Sequence, residues 1–167
     1  LRAGGPDAKA MVLGGFELSE RLLSFPRPVI IACSGHAIAM GLFLLLSGDH
    51  RVGPEGRFKF QANEVVIGVT IPNAAVEILR QRLTPGCLAR AIALAETFTP
   101  TNAVSSGVLD EVVPPDDVLA RALEIAALAG TLDPNAHRIA KLRARQQSLE
   151  ALRAAIDADD AELAAFL

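Results

Sequence analysis

Residues 28–33 read Pro-Val-Ile-Ile-Ala-Cys, and the apolar stretch Val29, Ile30, Ile31 and Ala32 shows no polar alternation. A strand with one face in water alternates apolar and polar side chains, so this run predicts a strand covered on both faces. Strands of that kind belong to parallel sheets flanked by helices, which makes α/β the expected class. Ahead of it, residues 9–24 predict an amphipathic helix, with Met11, Leu18, Leu22 and Leu23 apolar and Glu17, Glu20 and Arg21 between them. Pro26 and Pro28 end that helix, since each disfavours helical geometry in the residue before it.

Residues 34–41 read as a turn of small residues leading into a helix over 42–47. The longest apolar run, 37–46, is about half of what a bilayer span needs and reads as a buried helix. A strand follows over 50–52. Phe58 and Phe60, alternating with Arg57, Lys59 and Gln61, predict a second, half-exposed strand. Helices are expected over 74–83 and 85–98, joined at Thr84, with a further helical turn over 100–106 that Gly107 ends. A strand over 108–113 and helices over 116–129 and 134–166 complete the chain.

A length of 167 residues suits one domain, and 51% hydrophobic against 21% charged residues excludes a disordered chain. The formal net charge of -3 gives no general reason to expect nucleic acid. Cys33 and Cys87 are too few for a disulfide framework, which points to a reducing, cytoplasmic setting, and the scattered His36, His50 and His137 suggest no metal site. Residues 1–6 lack the apolar stretch of a signal peptide and begin without methionine, so a fragment is expected.

Two places carry chemistry. The first amides of a helix have no partners within it and sit at the positive end of its dipole, where they favour an oxygen gaining negative charge. Gly35, Ala37, Ala39 and Gly41 are small enough to let a ligand approach such amides, although a plain strand-to-helix connection would look the same. The second place is Glu64. Val65, Val66, Ile67 and Val69 are expected to surround it with apolar groups and raise its pKa, suiting it to remove a weakly acidic proton beside a carbonyl. The competing reading puts Glu64 on the sheet surface, paired with Arg57.

The blocks at 28–41, Gly48-Asp49-His50-Arg51, Asn63-Glu64 with Gly68, Ile71-Pro72, and Ala103 through Gly107 to Pro114 resemble the crotonase superfamily, the enoyl-CoA hydratase/isomerase family. That resemblance implies a spiral of ββα turns over 1–113 and a C-terminal helical region over 114–167 that packs in a homotrimer or hexamer. It also implies acyl thioesters of coenzyme A as substrates, with no separate cofactor, nucleic acid or membrane partner. The Met40 amide matches one donor of the family's oxyanion hole. The Ala/Gly-Asp-x-Lys-like stretch that supplies the other is not in this sequence. Glu64 matches the catalytic base, and Ala37, Ile38, Ala39, Gly41, Phe43, Asn63 and Gly68 match substrate-binding positions.

Phe43 stands where the family's hydratases place the first of two cooperating glutamates. A single base that moves a proton between carbons needs no activated water, so the resemblance implies isomerisation of 3-enoyl-CoA to 2-enoyl-CoA. Hydration, acyl-CoA binding without catalysis and a structural subunit are the alternatives. A serine peptidase is set aside, because Met40 and Gly41 occupy the place where a nucleophilic serine is needed and Ser34 comes too early.

Asn63 either orients Glu64 or caps a bend, His36 either lines the pocket or is structural, and Asp49 orders its turn. Arg138, Lys141, Arg143 and Arg145 either approach the phosphates of coenzyme A or form a solvated face balanced by Asp157, Asp159, Asp160 and Glu162. Ile139, Leu142, Leu149, Leu152 and Ile156 share one side of the last helix and are expected to pack on the core or on a neighbouring subunit.

Overall fold

The computed structural model describes residues 5–165, so expectations for residues 1–4 and for Phe166 lie outside it. Among the described residues five short strands form two parallel sheets. β1 (Ile30–Ala32), β3 (His50–Pro54) and β5 (Glu111–Val113) make one, in the order β1-β3-β5, and β2 (Ala37–Ile38) with β4 (Phe60–Gln61) makes the other. The unalternating run behaves as expected. Ile31 packs into the main core, while Ile30 and Ala32 face a second cluster built from Val52 and from Val118 and Ala122 of α6 (Val118–Ala129).

The main core is shared by α1 (Pro6–Ser24), α2 (Met40–Leu46), α3 (Asn73–Arg80) and α7 (Pro134–Ala165). Phe16, Leu23, Leu42, Phe43, Leu46, Ile78, Leu79 and Leu152 are its fully buried large side chains from these helices, each contributing roughly 1.5–3 kcal/mol by leaving water. On α7, Leu149, Leu152 and Ile156 face this core, as their spacing implies.

Several element boundaries differ from the sequence pattern. Residues 37–46 are not one helix, because Ala37 and Ile38 pair with β4 and Ala39 turns the chain at φ 51, ψ -125 before α2 begins. The half-exposed strand expected over 57–61 is reduced to β4. α3 ends at Arg80. The next helix, α4 (Pro85–Ala93), stops short of Phe98: Arg90 O accepts the amides of Leu94 and Glu96, Ala95 takes φ 47, and Phe98 exchanges two 2.9 Å backbone hydrogen bonds with Phe60. Pairing with β4 and burial of the Phe98 ring outweigh the helical pattern there. The strand expected over 108–113 shrinks to β5. Val108 and Leu109 are buried in the turn after α5 (Pro100–Ser106), their amides bonded to Ala103 O. Gly107 ends α5 at φ 89, and a Cβ on it would stand 2.1 Å from Arg82 O.

At two of its four residues the basic cluster on α7 differs from both sequence readings. Lys141 and Arg145 point inward onto Asp49, whose carboxylate lies 2.7 Å from Lys141 Nζ, 2.8 Å from Arg145 and 2.7 Å from the Val29 amide that donates to it. Lys141 further donates to Leu22 O and Arg27 O, and Arg145 to Leu23 O. Burial pushes the Lys141 ammonium below its ordinary pKa, against the pull of Asp49. These two cations fasten α7 and are not free for phosphate, whereas Arg138 and Arg143 are exposed. Asp159 is not part of a solvated face either. It is buried and accepts hydrogen bonds from the amides of Asn73 (2.8 Å) and Ala74 (2.9 Å), serving the first turn of α3.

Candidate active site

The register of β2 with β4 brings the site together. Ala37 lies opposite Phe60 and Ile38 opposite Gln61, so the turns that follow the two parallel strands emerge at the same end of the pair. Open parallel sheets present their ligand sites at the carboxyl ends of strands for this reason. One turn carries Ala39 and Met40, the other Asn63 and Glu64.

Ala39 is fixed from both sides. Its amide donates to Gln61 O at 2.9 Å and its carbonyl accepts from Leu42 and Phe43, which holds an alanine in a backbone conformation that glycine favours. The result opens α2 with the Met40 amide at its first position, where no acceptor among the described residues takes it. Glu64 opens a 3-10 turn (Val65–Ile67) that Gly68 closes at φ 74, with Glu64 O accepting from Ile67 (3.1 Å) and Val69 (2.9 Å).

Ala39, Met40, Phe43 and Glu64 line one cavity of about 460 Å³. Glu64 is 8% exposed and its Oε2 has no hydrogen-bond partner among the described residues. Burial raises the pKa of this carboxyl above its ordinary value. The expected source of that apolar surround holds only at Val69, which lines the cavity while half exposed; Val65, Val66 and Ile67 are exposed and do not line it, because the 3-10 turn directs them outward. The other apolar walls come from Met11, Val12 and Phe16 of α1, from Met40 and Phe43 of α2, and from Ile71. Glu64 does not sit on the sheet surface beside Arg57.

The remaining expected residues are placed elsewhere. Ala37 and Gly41 line a second cavity of about 360 Å³, together with Cys33, Gly35 and His36. Ile38 is exposed, and Gly68 lines neither cavity. Asn63 makes no hydrogen bond to the Glu64 carboxylate; its carbonyl accepts from Ile67 and its side-chain oxygen is buried without a partner. His36 Nδ1 accepts the Lys59 amide at 3.0 Å and its ring packs on Phe58, so it holds β2 near β4 and stays out of the Glu64 cavity. Sequence reasoning missed the walls from α1 and α7, the latter being Asp159 and Glu162. The i, i+4 pair Val12 and Phe16 was the available signal for α1. Among the described residues no group of three or more His, Cys, Asp or Glu is placed to hold a metal.

A model of the enoyl-CoA hydratase/isomerase family matches residues 4–166, and the chain belongs to that family, with the crotonase fold. A solved enoyl-CoA hydratase from Mycobacterium marinum is 54% identical with a TM-score of 0.90, covering 93% of this chain and 69% of that one. The apo structure of an enoyl-CoA isomerase from Mycobacterium tuberculosis is 50% identical with a TM-score of 0.90, covering 93% and 68%. The 2,3-dehydroadipyl-CoA hydratase of Escherichia coli is 28% identical over 140 residues, 84% of this chain and 54% of its own length. The chain spans about half the length of the curated relatives it matches.

Proposed function

We propose that this chain carries the proton-transfer site of an enoyl-CoA isomerase, converting a 3-enoyl-CoA to the conjugated 2-enoyl-CoA with Glu64 as the single base. The observation that carries this reading is the presence of Glu64 and Phe43 in one cavity: a buried carboxylate of raised pKa shares it with a ring where a second carboxylate would be needed to activate water. In the proposed reaction Glu64 takes a proton from the carbon next to the thioester carbonyl, and the electrons move onto its oxygen. The Met40 amide faces that oxygen. Glu64 then returns the proton to the far end of the dienolate, a step that needs no water and no cofactor beyond the thioester. Ala37, Ile38, Gly41, Asn63 and Gly68 are proposed to shape the surrounding binding surface through their backbone.

Hydration is the second reading, favoured by the hydratases among the relatives. Incubation with 3-enoyl-CoA and with 2-enoyl-CoA separates the two. Conjugated product from the first and no 3-hydroxyacyl-CoA from the second supports isomerisation, whereas hydroxyacyl product identifies a hydratase. Binding without turnover leaves only an acyl-CoA carrier. No helix among the described residues is long and apolar enough to cross a membrane, and a cytoplasmic setting is proposed from the free cysteines. A homotrimer or hexamer is proposed, with exposed Leu119 and Leu123, one turn apart on α6, in the subunit contact.

A further inference from the structure

α1 carries two glycines near its middle, Gly14 and Gly15, where glycine is the least favoured residue after proline. A Cβ on Gly14 would meet nothing within 4 Å. One on Gly15 would stand 2.5 Å from Cε of Met40, 2.6 Å from Sδ and 3.1 Å from Cγ. The notch at Gly15 therefore holds the thioether of the residue whose amide opens α2. Phe16, next to Gly15, and Phe43, three residues along α2 from Met40, pack their rings 6.0 Å apart and are both buried, so the adjoining core is filled. The free space beside it is the Glu64 cavity, which Met40 itself lines. Methionine is unbranched and turns easily about three bonds, so a side chain expelled from the notch would swing into that space.

We infer that the notch at Gly15 sets the depth of the acyl pocket by keeping the Met40 side chain out of it. The inference rests on the proposed function, in which the acyl chain occupies this cavity. The test measures KM for 3-hexenoyl-CoA and 3-dodecenoyl-CoA, and Kd for the two saturated thioesters by calorimetry, in the parent, Gly15→Ala, Met40→Ala and the double variant. Gly15→Ala is expected to weaken the long chain by about tenfold, or about 1.4 kcal/mol, and the short chain by less than about twofold. In the Met40→Ala background the same change is expected to be silent. Equal weakening of both chains, or failure of the double variant to restore the long one, overturns the inference. If Gly15→Ala alone does not melt cooperatively, the double variant decides: folding with the long-chain affinity of Met40→Ala supports the notch, and failure to fold refutes it. Absence of binding in the parent overturns the function reading along with it, whereas binding without chain-length dependence removes only the role of Gly15.

Discussion

Glu64 shows how one side chain carries opposite consequences for activity and stability. Glu64→Gln removes the base and is expected to lower kcat by about 10²–10⁴-fold, read by conjugated-product formation, with KM little changed. Burial keeps the folded carboxyl above its ordinary value of 4.5, so as pH rises the unfolded chain releases this proton first. Stability therefore falls between the unfolded and folded pKa values and stays lower above them. The Gln variant is expected to melt higher than the parent at pH 7, with the difference disappearing below 4.5. The activity of the parent should rise with pH through an apparent pKa above the usual carboxylate range. Glu64, Met40 and Phe43, which line one cavity, could be singled out because each lies inside a contiguous motif. The wall residues Met11 and Glu162 were not, since only tertiary packing brings α1 and α7 to the same cavity.

At the scale of elements, the apolar run of β1 announced its cover on both faces and the spacing on α7 announced the face it buries, while helix ends were decided by contacts distant in sequence. α4 yields to the pairing of Phe98 with Phe60, and α5 ends where Gly107 passes Arg82 O. Gly107→Ala combines φ 89 with a backbone clash, and a loss of at least about 2 kcal/mol is expected in urea unfolding. The basic residues of α7 were legible as a cluster, but their inward direction was not, because Asp49 is 92 residues away from Lys141. Asp49→Ala leaves Lys141 and Arg145 buried without their carboxylate, and is expected to cost about 3 kcal/mol in urea unfolding. A neutral outcome there would show that the backbone carbonyls of residues 22, 23 and 27 suffice to hold both cations.

For the molecule as a whole, α6 covers the outer face of the β1-β3-β5 sheet and turns Leu119 and Leu123 away from it. In the proposed trimer or hexamer, replacing both with Asp is expected to shift the sedimentation coefficient to that of a monomer without loss of helical circular dichroism; an unchanged coefficient would remove these two leucines from the proposed contact. The α/β class and the parallel sheet followed from strand composition. That α7 joins the same core as α1 and α3 did not, because an amphipathic helix shows which face it buries and not against what. α7 is pinned at Asp49 towards one end and at the first turn of α3 towards the other, roughly 21–27 Å apart at 1.5 Å per residue, with Arg153 on Glu20 and the apolar seam of Leu149, Leu152 and Ile156 between them. One continuous helix thus answers to Asp49 and also carries Asp159 and Glu162 to the cavity wall, so distance from Glu64 alone does not make a substitution silent.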